Sequence, residues 1–209
     1  MAWVTDAEFK RWVRLSIDDV LDDADVAVAL SAAHRAVEQH CGRTFNTLVG
    51  AAAAATARVF APTLHDVVVV DDFWTTDGLT VETRETSDDA WVAWPSSMWQ
   101  LEPLNGVRYG TPGWPYERIR VLDTGEHWPW DGDAATVRVT AKWGWQSCPD
   151  DVRMATLIQA SRLLKRREAP AGLLEFSGDG TSVRVSPLDG DVQRLLKPYV
   201  RLERQFLVI

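Results

Sequence analysis

The sequence predicts an α+β fold: a small helical bundle of about four helices, with a β-rich unit inserted between the second and third main helices. Three observations lead there. Apolar residues recur at three- and four-residue spacing over Asp22–Cys41, and over Pro149–Arg167 a polar stripe recurs at spacing three on an otherwise mostly apolar helix that is expected to be wrapped by protein on much of its circumference. Between them, from Thr56 to Trp143, the rhythm changes to short β-prone runs broken by turn residues. The 209 residues, 46% hydrophobic and 25% charged, suffice for one substantial core with an elaborated insertion. The expected organisation is a single domain over 1–209. Its parts are N-terminal helices over 5–43, a β-rich insertion over 56–143, C-terminal helices with a short strand over 149–198, and a tail over 199–209.

The first helix is expected over Thr5–Leu15. Thr5 can cap its N-terminus, and Glu8 stands three residues on, as a capping box requires. Phe9, Trp12 and Val13 share one side at helical spacing. In the second helix Val26, Leu30, Ala33, Val37 and Cys41 form the apolar stripe. Asp22, Asp23 and Asp25 suit its positive start, and Gly42 supplies the residue beyond its end. Leu48–Thr56 holds five consecutive alanines but no patterned face, and reads as a linker.

Strands are expected at Arg58–Phe60, Asp66–Val70, Leu79–Thr83, Trp91–Trp94 and Arg118–Leu122. Turns are expected at Thr76–Gly78, Asn105–Gly106, Thr111–Gly113 and Asp123–Gly125. Over Thr136–Trp143 alternation is strict: Val137, Val139, Ala141 and Trp143 take one face, and Arg138, Thr140 and Lys142 the other. The third helix opens with Pro149 at its first position and Asp150 and Asp151 in its first turn. It carries a polar stripe, Arg153, Thr156, Gln159 and Arg162, and ends in Lys165-Arg166-Arg167. A loop over Ala171–Gly180, a strand over Ser182–Ser186 and a helix from Pro187-Leu-Asp189 to about Lys197 complete the chain, before the tail that ends Phe206-Leu-Val-Ile209.

Composition narrows the chemistry. The formal charge of −8 provides no global basic footprint for gripping phosphate. No apolar run reaches the roughly 20 residues of a membrane span, so no membrane partner is expected. The N-terminus lacks the order of a signal peptide, which points to synthesis in a cytoplasm. Cys41 and Cys148 have neither disulfide-framework nor zinc spacing, and His34, His40, His65 and His127 include no i, i+4 pair. No phosphate loop or nucleophile elbow occurs, and Gly178-Asp-Gly180 is a turn. No catalytic residue, metal or cofactor is expected. Of 11 tryptophans, all but Trp3 and Trp12 lie from Trp74 to Trp145, which suits core and interface. An alternative use is a sugar-stacking surface of Trp91, Trp94, Trp99, Trp114, Trp128 and Trp130, as in a carbohydrate-binding module. The flanking helices argue against it.

Several runs in fixed order carry a family resemblance: Ala2-Trp-Val-Thr-Asp-Ala-Glu-Phe-Lys10, Ala32-Ala-His-Arg-Ala-Val37 with Cys41-Gly-Arg43, and Tyr116-Glu-Arg-Ile-Arg120. Val137-Arg-Val-Thr-Ala-Lys-Trp-Gly-Trp145, Pro149-Asp-Asp-Val152 and Leu163-Leu-Lys-Arg-Arg167 complete the set. In that order the chain resembles the head-to-tail connector (adaptor) proteins of long-tailed, siphovirus-type bacteriophages, especially those of actinobacterial phages. The resemblance implies a structural virion protein at the head–tail junction, assembled in the bacterial host cytoplasm as a twelve-fold ring of itself. Implied partners are the portal protein, a tail-side stopper or connector, and genomic DNA that passes through without tight binding. It also implies that the C-terminal segment, Arg204, Gln205, Phe206, Leu207, Val208 and Ile209, contacts portal or neighbouring subunit. An acidic channel wall suits passage of DNA because it adds no phosphate-neutralising affinity. Asp18, Asp19, Asp22 and Asp23, or Asp88 and Asp89, are its candidates.

Overall fold

A computed structural model describes residues 3–15, 23–45, 54–62, 66–86, 88–122, 135–168 and 188–201. The linker alanines up to Ala53, the turn at 123–125, Trp128, Trp130, the loop and strand expected over 171–186, and the tail from 202 lie outside them. The fold is α+β, with four helices and several antiparallel sheets among the described residues, and the β-rich part falls between the second and third helices. The chain divides into two compact units, Met1–Arg43 with Cys148–Ile209, and Thr44–Ser147.

The first unit is helical. Helix α1 (Asp6–Val13) is held by the expected capping box: Glu8 N donates to Thr5 Oγ1 at 3.2 Å, and Thr5 N donates to Glu8 Oε2 at 2.8 Å. Its buried side is Phe9 with Lys10, and Trp12 is 45% exposed. Trp12 was expected beside Phe9. At 100° per residue it falls on the flank of Phe9 away from Lys10, and in an eight-residue helix only a narrow stripe is covered. Helix α2 (Asp23–Cys41) buries Val26, Leu30, Ala33, Val37 and Cys41, the expected stripe, and Gly42 follows at φ +65°. Helix α3 (Asp150–Glu168) packs on α2 and on α4 (Gly190–Leu196). Pro149 sits one position earlier than expected. Its carbonyl accepts from Arg153 N at 3.0 Å, which makes it the N-cap.

The polar stripe of α3 turns inward at its middle. Thr156 is fully buried, accepts from Trp3 Nε1 at 2.9 Å, and donates to Val152 O at 2.8 Å. Buried Gln159 accepts from Asp189 N at 3.4 Å, and Asp189 caps α4 through Asp191 N at 2.9 Å. The stripe's outer members tie down the same neighbours, Arg153 with Glu8 and Arg162 with Asp189. Beyond α4, Tyr199 O accepts from buried Arg43 Nε at 2.7 Å, and Arg201 N donates to Cys41 O at 3.0 Å, joining the end of α2 to the chain's last described turn.

The second unit is built of antiparallel strands. Strands β1 (Thr56–Phe60), β9 (Val137–Ala141), β3 (Thr80–Thr83) and β4 (Val92–Ala93) form one sheet in that order. Strands β2 (Val67–Phe73), β8 (Tyr116–Val121) and β5 (Trp99–Glu102) form a second, and β6 (Val107–Arg108) pairs with β7 (Thr111–Pro112) as a hairpin. The alternation of β9 is the clearest local cause of this core: Val137, Val139 and Ala141 are fully buried, and Trp143 continues the face. They meet Val68, Val70 and Phe73 of β2, Val81 of β3, Ile119 and Val121 of β8, and Trp94.

Three strands, β5, β6 and β7, were not expected. Thr111-Pro112, read as the start of a turn, is strand, and the reversal falls on Tyr109-Gly110. Both turn residues have positive φ, +52° and +76°, as in a primed hairpin turn. The usual Asn-Gly or Asp-Gly signal is missing because tyrosine takes the first position.

Candidate assembly surfaces

The expected site residues fall into three groups. Asp18, Asp19, Asp22 and the tail residues Arg204, Gln205, Phe206, Leu207, Val208 and Ile209 lie outside the described residues. Asp23 is described, and its carboxylate pairs with Lys10, whose side chain is buried. Its charge therefore compensates an interior cation and tethers the start of α2 to α1. Asp89 holds a turn, accepting from Thr86 N at 2.9 Å and Thr86 Oγ1 at 2.8 Å, and Asp88 is exposed beside it.

The tryptophans are mainly structural. Trp94, Trp114, Trp143 and Trp145 are buried, so Trp94 and Trp114 have no face to offer a sugar. Trp91 is half-buried under two guanidinium groups, with the carbons of Arg84 and Arg138 at 4.3 Å and 4.7 Å from its ring centroid. Arg138 is fixed in turn by a bidentate pair with Glu82, which holds the Glu82 carboxyl below its ordinary value. Trp145 Nε1 donates to buried Asp72 at 2.9 Å. Sequence reasoning missed the buried charges, Lys10 and Arg43 in the helical unit and Asp72 and Glu117 in the β unit, because hydrophobic periodicity carries no signal for a charge that finds its partner only in the fold.

Two exposed features of the β unit remain. The β6–β7 hairpin presents Val107 and Tyr109, the latter 72% exposed, and exposed Leu104 lies in the turn just before it. The hairpin is held from below by the Arg108–Glu117 ion pair at 2.7 Å, both side chains 11% exposed, and by Trp114 N donating to Gly106 O at 2.9 Å. The second feature is the pair of open edges of the four-stranded sheet. Every residue of β1 except Phe60 is exposed, and Val92 and Ala93 of β4 are exposed too.

The hydrogen-bond phase of that sheet shows which main-chain groups point out of its edges. Trp94 N donates to Val81 O at 2.8 Å, and Arg84 N to Thr136 O at 3.0 Å. Hydrogen-bonded pairs recur at every second residue of an antiparallel ladder. Val81 and Thr83 therefore bond toward β4, and Thr80 and Glu82 toward β9. With the observed register, Val137, Val139 and Ala141 bond to Phe60, Arg58 and Thr56. That leaves the N–H and C=O of Ala57 and Val59 directed out of the β1 edge, and those of Ala93 and the preceding Trp91 out of the β4 edge. Among the described residues no strand pairs with either edge.

No protein-family model matches the chain, and no curated protein matches it. Among solved structures, the fold is similar to a chain in the neck of an empty gene transfer agent particle computed with C6 symmetry, and to a chain in the virion of a native gene transfer agent particle. Each match has 17% sequence identity and a TM-score of 0.52, and covers 96% of this chain and 90% of the other. At that identity the likeness establishes a shared fold over nearly the whole of both chains.

Proposed function

We propose that the chain is a structural virion protein at the head–tail junction: a ring of identical subunits that joins the capsid portal to the tail-side connector and surrounds the DNA exit channel. The observation that carries this reading is the fold shared, over 96% of the chain, with a component of a gene transfer agent neck. Ring symmetry fits as well, because a twelve-fold ring is also symmetric under six-fold rotation. The acidic balance of −8 suits a wall that lets phosphate slide past. In this reading the partners are further copies of the chain, the portal protein, a tail-side stopper and passing DNA. The segment Arg204–Ile209 docks on the portal or a neighbour.

Mass photometry of the full chain, alone and with its portal protein, tests the ring. A closed oligomer on the portal is expected, and a chain that stays monomeric beside portal at micromolar concentration would overturn the reading. Deleting Arg204–Ile209 is expected to leave cooperative unfolding intact and to weaken portal docking. Loss of the unfolding transition in that truncation would instead assign the segment to the fold.

A further inference from the structure

We propose that the four-stranded sheet continues from one copy of the chain to the next, with strand β4 of one subunit adding to the open edge of β1 in its neighbour. The proposal deepens the ring reading and rests on it for the presence of many copies. An exposed edge strand is a template for strand addition, and proteins usually blunt such edges with charge, proline or a bulge. At the two positions of β1 that face outward, Ala57 and Val59, no such device is present.

The partner edge is specified by direction, register and side chains. Along the order β1, β9, β3, β4 each strand is antiparallel to the last, so β1 and β4 run in opposite directions. Placing β4 of a second copy beside β1 therefore keeps the sheet antiparallel. The outward groups are spaced two residues apart on both edges. Setting Ala57 opposite Ala93 and Val59 opposite Trp91 satisfies them together, with about four new main-chain hydrogen bonds. Val59 is 48% exposed and lies across the sheet from Arg138, Glu82 and Ala93, on the face that carries Trp91. The register sets Val59 against the neighbour's Trp91, a β-branched–aromatic cross-strand pair. Arg84 and Arg138 already hold that ring in place. Because the two edges differ, the contact is heterologous. It propagates, and closes into a ring when the rotation per subunit allows.

The test uses the full chain and two kinds of variant. Hydrogen-bonded antiparallel partners have Cα atoms about 5.5 Å apart, within disulfide range. Ala57→Cys with Ala93→Cys in one chain is therefore expected to give a ladder of covalent dimers, trimers and higher species on mild oxidation. Cys41 is buried and burial pushes the Cys148 thiol up to about 12, so the native thiols contribute little background. Val59→Pro removes an outward N–H while leaving the bonds to β9. It is expected to keep the β unit folded and to raise the concentration for half-assembly more than about tenfold, since edge positions tolerate proline. Assembly of Val59→Pro at the wild-type concentration would overturn the proposal, as would oxidised rings of the double-cysteine variant with no ladder. A dimer formed by either single-cysteine variant would overturn it too, by revealing a two-fold contact. If the wild-type chain stays monomeric with and without portal, the ring reading fails and this contact with it; if wild-type rings form and the variants behave as wild type, only this contact fails.

Discussion

Acidification should weaken the helical unit through one side chain, His34. It lies on α2 with its ring 4.3 Å from the ring of Trp3, and its Nε2 is buried with no hydrogen-bond partner among the described residues. Burial disfavours the imidazolium and lowers the pKa from 6.5 to about 4, against a smaller opposing pull from the Asp6 carboxylate. Above pH 6.5 the ring is neutral both folded and unfolded, and it adds no pH dependence. Between 6.5 and 4 the unfolded chain takes up a proton that the folded chain refuses, so stability falls with pH. At about 1.4 kcal/mol per pKa unit the loss is bounded at ~3.5 kcal/mol. Because the ring keeps some contact with solvent, about 2 kcal/mol is expected. Urea unfolding followed by helical circular dichroism at pH 7.5, 6, 5 and 4 measures it, with His34→Leu as reference because leucine fills the site and cannot titrate. The gap between wild type and variant should open below pH 6.5 and level off near 4. Parallel curves, within about 0.5 kcal/mol at all four pH values, would refute the assignment of a desolvated, neutral His34.

Other expectations concern single sites. Thr5→Ala removes the acceptor for Glu8 N and should cost about 1 kcal/mol in the helical unit, read by the same unfolding assay. Ile119→Ala empties a fully buried position between the sheets and should cost roughly 2–5 kcal/mol in the β unit, seen as a lower melting temperature by near-ultraviolet circular dichroism. Cys148, pushed up to about 12 from 9.0 by burial, should react with an alkylating reagent at pH 8 about a thousandfold more slowly than a free cysteine in a peptide, and mass spectrometry of labelled peptides reads that rate directly.

Much of the framework was legible because it rests on periodicity. The stripe Val26, Leu30, Ala33, Val37 and Cys41 and the alternation Val137, Val139, Ala141 and Trp143 repeat at the period of their own element, so each predicts its buried side without knowledge of its neighbours. The Thr5–Glu8 box and Gly42 are equally local, because capping groups and their targets lie within a few residues. By contrast, Tyr109-Gly110 makes a turn without the usual turn residues. There the pairing of β6 with β7 and the support of Arg108 on Glu117 and Trp114 accompany a backbone conformation that tyrosine does not favour alone.

What the sequence by itself determined, then, is the helices α2 and α3, the alternating strand β9, and the faces that α2 and β9 bury, since those depend on spacing along the chain. What only the tertiary structure decided is how charges and edges are used. Asp23, a candidate for the channel wall, is bound to Lys10, and Trp94 and Trp114, candidates for an exposed stacking surface, are interior. The open edge of β1, invisible in Thr56–Phe60 as a string of residues, is defined by the order β1, β9, β3, β4. The reason is the range of the interactions: periodicity is encoded within a few residues. Lys10 and Asp23 are 13 positions apart, Trp145 and Asp72 are 73, and an unpaired edge exists only once every other strand has been placed.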